Sequence, residues 1–104
     1  MTVSTDILAT VKFDSDGFMQ NAADWTPDIA EALAAEADMT LTDRHWIVIN
    51  FARKEFEANG DAPTIRKITK TTDVNTKELY QLFPKGPAKL AARIAGLKKP
   101  TGCI

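Results

Sequence analysis

Cysteine is almost absent from these 104 residues, with Cys103 the single example. A lone thiol excludes an internal disulfide framework. Histidine is equally scarce: His45 has no companion histidine or cysteine at metal-ligand spacing, so neither a resident metal nor a cofactor is expected. No apolar run approaches the ~20 residues that span a bilayer. Met1 is followed by polar residues rather than a basic start and an apolar stretch, so neither a membrane segment nor a secretory leader is expected, and the expected location is the reducing cytoplasm. There is no Gly-rich phosphate loop, nucleophile elbow or pair of catalytic carboxylates, which leaves a self-contained hydrolase or nucleotide enzyme without support. With 44% hydrophobic residues, the chain suits one domain, 1–104, with a single modest core.

Charge is balanced in total and separated along the chain. Residues 1–61 hold twelve acids and four bases, a net −8, whereas residues 62–104 hold nine bases and two acids, a net +7. From Lys85 onward five bases, Lys85, Lys89, Arg93, Lys98 and Lys99, meet no acid. Such a one-signed end draws anionic partners.

Patterning predicts a mainly α fold, a small orthogonal helical bundle with an N-terminal β-hairpin, a helix-turn-helix and a mobile C-terminal arm. The loose alternation from Ile7 to Phe13, the turn Asp14-Ser15-Asp16-Gly17 and the apolar Phe18-Met19 read as the hairpin. Thr26-Pro27-Asp28 opens a first helix that ends near Asp38. Thr42-Asp43 opens a stronger, central helix closed by Asn59-Gly60. Pro63-Thr64 starts a short helix. Asn75-Thr76-Lys77-Glu78 reads as a capping box starting another, which Pro84 ends, and these two make the helix-turn-helix. Gly86-Pro87 begins a last helix capped by Gly96.

Residues 97–104 form the arm, and Cys103 hangs beyond Pro100 and Gly102, where no core closes over it. Lys98 and Lys99 favour its thiolate, while a neighbouring terminal carboxylate opposes it. A displayed thiolate can act as a mobile nucleophile or sulfur carrier. The alternative use of the helix-turn-helix is DNA binding, with Lys77, Gln81, Arg66, Lys67 and Lys70 available to bases and phosphates. His45 has the reference pKa of a general base, yet its place near a helix start favours a hydrogen-bonding role. Trp25 and Trp46 are expected in the core.

Asp24-Trp25, His45-Trp46, Pro63 with Arg66, the run Leu79-Tyr80-Gln81-Leu82-Phe83-Pro84-Lys85-Gly86-Pro87-Ala88, then Arg93-Ile94-Ala95-Gly96-Leu97, Pro100 and Gly102-Cys103 together resemble the DsrC/TusE family. The resemblance implies a small helical cytoplasmic protein whose arm carries sulfur on Cys103 between an upstream donor protein and a downstream acceptor, with Lys85, Arg93, Lys98 and Lys99 serving partner binding. Members resembling the partner of dissimilatory sulfite reductase carry a second cysteine eleven positions earlier, where this chain has Ala92. What remains resembles the branch serving 2-thiolation of the tRNA wobble uridine. The alternatives are a partner in dissimilatory sulfur metabolism and a DNA-binding regulator. The chain departs from the family pattern at Lys98, commonly Pro, and in a shortened loop, Thr71 to Asn75, before the Leu79-Tyr80 helix.

Overall fold

Each helix begins where a short polar side chain can accept one of its free N–H groups or where a proline removes one of them. The computed structural model describes residues 5–84 and 86–98. Helix α1 (Pro27–Glu36) starts with Pro27 in its first turn, after Thr26, whose hydroxyl accepts the Ile29 N–H at 3.4 Å. It buries Ile29, Ala30, Ala32, Leu33 and Ala34. It ends with Asp38 in the left-handed region, φ 58°, while the Met39 N–H reaches back to the Ala34 carbonyl at 2.8 Å.

Helix α2 (Asp43–Asn59) is the longest, and its buried positions His45, Val48, Ile49 and Ala52 recur at the helical period. Helices α3 (Ile65–Thr71) and α4 (Thr76–Leu82) follow, capped by Thr64, which accepts from the Lys67 N–H at 3.2 Å, and Asn75, which accepts from the Glu78 N–H at 2.8 Å. Residues 72–75 join the two. Only half of the expected capping box forms at α4, because the Glu78 carboxylate turns to Arg44 of α2. Gly86 and Pro87 open α5 (Pro87–Ile94) as the sequence predicts.

The N-terminal β-hairpin is not formed. Residues Thr5–Thr10 wind into a 3-10 turn, and one antiparallel bridge, Phe13 to Met19, is all that remains of the expected pairing. The cause is local: Asp14 turns its carboxylate inward and accepts the N–H groups of Asp16 and Phe18, both at 2.9 Å, closing a tight loop around Gly17. That loop delivers Phe18 and Met19 into the core. There they join one continuous apolar cluster drawn from every helix, including Leu33, Ile49, Ile68, Leu79, Phe83, Ile94 and Leu97.

Candidate functional site at the root of the thiol-bearing segment

Helix α5 ends in a closure that fixes how the chain leaves its last turn. Gly96 takes φ 74°, its N–H bonds the Arg93 carbonyl at 3.1 Å, and the Leu97 N–H bonds the Ala92 carbonyl at 2.9 Å. This is a complete Schellman closure, in which two carbonyls of the last turn are satisfied by the backbone that follows. Leu97 is buried and the next residue, Lys98, is exposed. The chain therefore leaves the core within one residue.

Two side chains from distant parts of the sequence grip the same point. Trp25 donates its indole N–H to the Ile94 carbonyl at 2.9 Å. Arg53, on α2, donates to the Ala95 carbonyl at 2.7 Å and to the Ala22 carbonyl at 3.3 Å, and its guanidinium lies 4.2 Å from the centre of the Trp25 ring. Burial pushes the Arg53 pKa down, with Glu57 pulling the other way; an arginine so placed still keeps its charge at neutral pH. Cation, ring and carbonyl dipoles thus reinforce one another. Trp25 also meets Trp46 edge to face at 6.5 Å, and a cleft of about 330 Å³ opens beside Arg53, lined by Ala22, Ala23, Phe56 and Glu57. A Cβ on Gly96 would fall 2.3 Å from Trp25 Cδ1, so only glycine fits beneath that ring.

The residues singled out in the sequence fall in different places. Cys103, Lys85 and Lys99 lie outside the described residues, as does most of the expected arm. Lys98 is exposed at the exit. Arg93, on the last turn of α5, is partly committed: its Nε donates to the Gly17 carbonyl at 3.0 Å, and an Nη stands 3.9 Å from Glu36. His45 is buried at 7% exposure and structural: Nδ1 accepts the Thr42 N–H at 3.0 Å and Nε2 donates to the Leu82 carbonyl at 2.9 Å. Of the α3 and α4 candidates, Arg66, Lys70, Lys77 and Gln81 are exposed, and Lys67 pairs with Glu55 at 2.9 Å. Arg53 was missed. Its signal was a charged residue on the apolar stripe of α2, between Ile49, Ala52 and Phe56.

Comparison with known proteins decides the family: the model described as "DsrC like protein" matches residues 8–104. The chain belongs to the DsrC-like family. Among DsrC-like relatives, it is 42% identical to the sulfurtransferase TusE of Photorhabdus laumondii, over 90% of this chain and 91% of that protein. It is 40% identical to the dissimilatory-type sulfite reductase subunit gamma of Nitratidesulfovibrio vulgaris, over 88% of each. The NMR structure of Allochromatium vinosum DsrC superposes with a TM-score of 0.79 at 42% identity, covering 90% of each chain. The crystal structure of dissimilatory sulfite reductase I superposes at 0.81, with 38% identity over 90% of this chain and 91% of that one.

Among the described residues no helix is long and apolar enough to cross a membrane, and no group of three potential metal ligands converges.

Proposed function

We propose that this chain is a sulfur carrier, a sulfurtransferase-type component of a relay, that accepts and donates sulfane sulfur on Cys103. The observation that carries the reading is the sole thiol of a DsrC-like chain standing six residues beyond a tightly held exit point at Leu97. The Cys103 thiolate attacks the outer sulfur of a donor persulfide. A new S–S bond forms to Cys103, the donor's S–S bond breaks, and the donor sulfur leaves as a thiolate with the electron pair. Hand-off repeats the step with Cys103 as the leaving group, so sulfur moves without net oxidation or reduction. Lys98 and Lys99 stabilise the thiolate at both stages.

Within that role we favour delivery toward tRNA wobble-uridine 2-thiolation over dissimilatory sulfur metabolism. Position 92 holds a buried alanine, so no second cysteine is available there to bridge with Cys103. Relatives named sulfurtransferase TusE support the same choice. The partners are then an upstream sulfur-donor protein and a downstream thiolating enzyme.

The test is intact-mass analysis of wild type and Cys103→Ser after incubation with a cysteine desulfurase and L-cysteine. Whole sulfur atoms gained by the wild type alone, and removed by reductant, support the carrier. Sulfur retained by Cys103→Ser, or a wild type whose free thiol gains none, overturns it.

A further inference from the structure

Helix α1 and helix α5 end in the same backbone closure, with Asp38 and Gly96 in the left-handed position. At α1 that closure suffices: among the described residues no side chain braces its last carbonyls. At α5 two further donors arrive, from 69 and 42 residues away, onto the successive carbonyls of Ile94 and Ala95. Ile94 and Ala95 are buried, so their carbonyls need protein partners, and these two side chains supply them. They also add rotational restraint. Trp25 Nε1 and Arg53 approach neighbouring peptide planes, the guanidinium sits over the ring, and the ring fills the space above Gly96. The last turn cannot twist about its axis without breaking one of these contacts.

We propose that Arg53 and Trp25 are positioning residues that set the direction in which the chain leaves α5 toward Cys103, so that protein-to-protein sulfur transfer depends on them while the reactivity of the thiol does not. The six residues from Leu97 to Cys103 reach at most about 20 Å. A rotation of about 20° at the root displaces the end of a segment of that length, taken as fully extended, by at most about 7 Å. Persulfide exchange needs the attacking thiolate within about 3–3.5 Å of the donor's outer sulfur and in line with the S–S bond that breaks. A steady exit direction limits the volume that must be searched when a donor or acceptor docks, and this is where Arg53 and Trp25 act. The transfer half of the inference rests on the carrier reading; the directional half does not.

The lone cysteine supplies the probe. A nitroxide attached to Cys103 broadens the amide signals near which it passes. In the wild type the broadened amides should form a confined set. In Arg53→Met, which keeps the stem and removes the donors, and in Trp25→Phe, which keeps a smaller aromatic ring and removes the N–H, the set should spread over more of the surface, with Arg53→Lys between. Alkylation of Cys103 by iodoacetamide should stay within about twofold throughout. Sulfur loading from a persulfidated cysteine desulfurase should fall about tenfold in Arg53→Met. An unchanged broadening pattern in folded variants overturns the inference, as does unchanged loading, or alkylation that falls in step with loading. If Arg53→Met does not fold, Trp25→Phe decides. A wild type that never loads refutes the carrier reading and leaves the broadening comparison to judge the exit direction.

Discussion

Gly96 and Gly60 have nearly the same backbone angle, φ 74° and 75°, yet very different surroundings. A Cβ at Gly60 meets nothing within 4 Å, whereas one at Gly96 strikes the Trp25 ring. Gly60→Ala should therefore cost only the left-handed backbone term, about 1 kcal/mol. Gly96→Ala should cost at least about twice that, lowering Tm by at least about 4–8 °C more. Thermal unfolding of the two variants side by side measures the contact, and equal losses would show that the ring yields freely. At this scale the sequence was legible where chemistry is local. His45 read as a hydrogen-bonding residue because it stood near a helix start, and its ring indeed completes the cap with Thr42. Arg53 was marked only as a charge on an apolar stripe, and what it binds was not legible, because its acceptors are main-chain carbonyls at Ala22 and Ala95, which carry no residue-specific mark.

Between elements, one arginine does the tying. Arg44, in the first turn of α2, grips the Glu78 carboxylate through Nε and Nη2, both at 2.7 Å, and Asp73 through Nη1 at 3.0 Å. It thereby joins α2 to α4 and to the connection before it. The Arg44 hydrogen bond holds the Glu78 carboxyl below its usual range, and Glu78 and Asp73 raise the Arg44 pKa in return. The sign follows from linkage. A carboxyl whose pKa is depressed on folding stabilises the fold above its unfolded value, and that gain disappears as pH falls through the folded value. In urea unfolding, Glu78→Gln should be weaker than wild type near pH 7, and the gap should start to narrow as pH falls below the ordinary Glu value of about 4.3 and close further into acid. A gap that persists in acid would assign the loss to packing rather than charge. The starts of α1, α4 and α5 were legible because caps and N-terminal prolines act within four residues. The hairpin was misread for the opposite reason. Alternation over seven residues says nothing about whether a pairing partner exists, and the Asp14 turn favoured a closed loop instead.

Over the whole molecule the segregation of charge carries a prediction about how a charged partner would approach. Lys98→Glu combined with Lys99→Glu reverses the sign beside the thiol without touching the described core. Sulfur loading of this variant from a persulfidated protein donor should be slower than wild type at 0.01 M salt, where fields reach about 30 Å. The difference should close as salt rises past 0.15 M, where they reach about 8 Å. A gap independent of salt would locate the effect in direct contacts rather than steering. The helical character of the whole was readable from periodicity, and the family from the closing third of the chain. The convergence of Trp25, Arg53 and Gly96 was not, since three segments far apart in sequence meet there only after folding.

The loop that took the place of the hairpin also bears on solubility. A two-stranded ribbon would have presented a row of unsatisfied N–H and C=O groups along its outer side, a template onto which another chain can zip. With the pairing reduced to Phe13 and Met19, the described residues offer no such border. Strand addition therefore finds no paired ribbon to extend among the described residues.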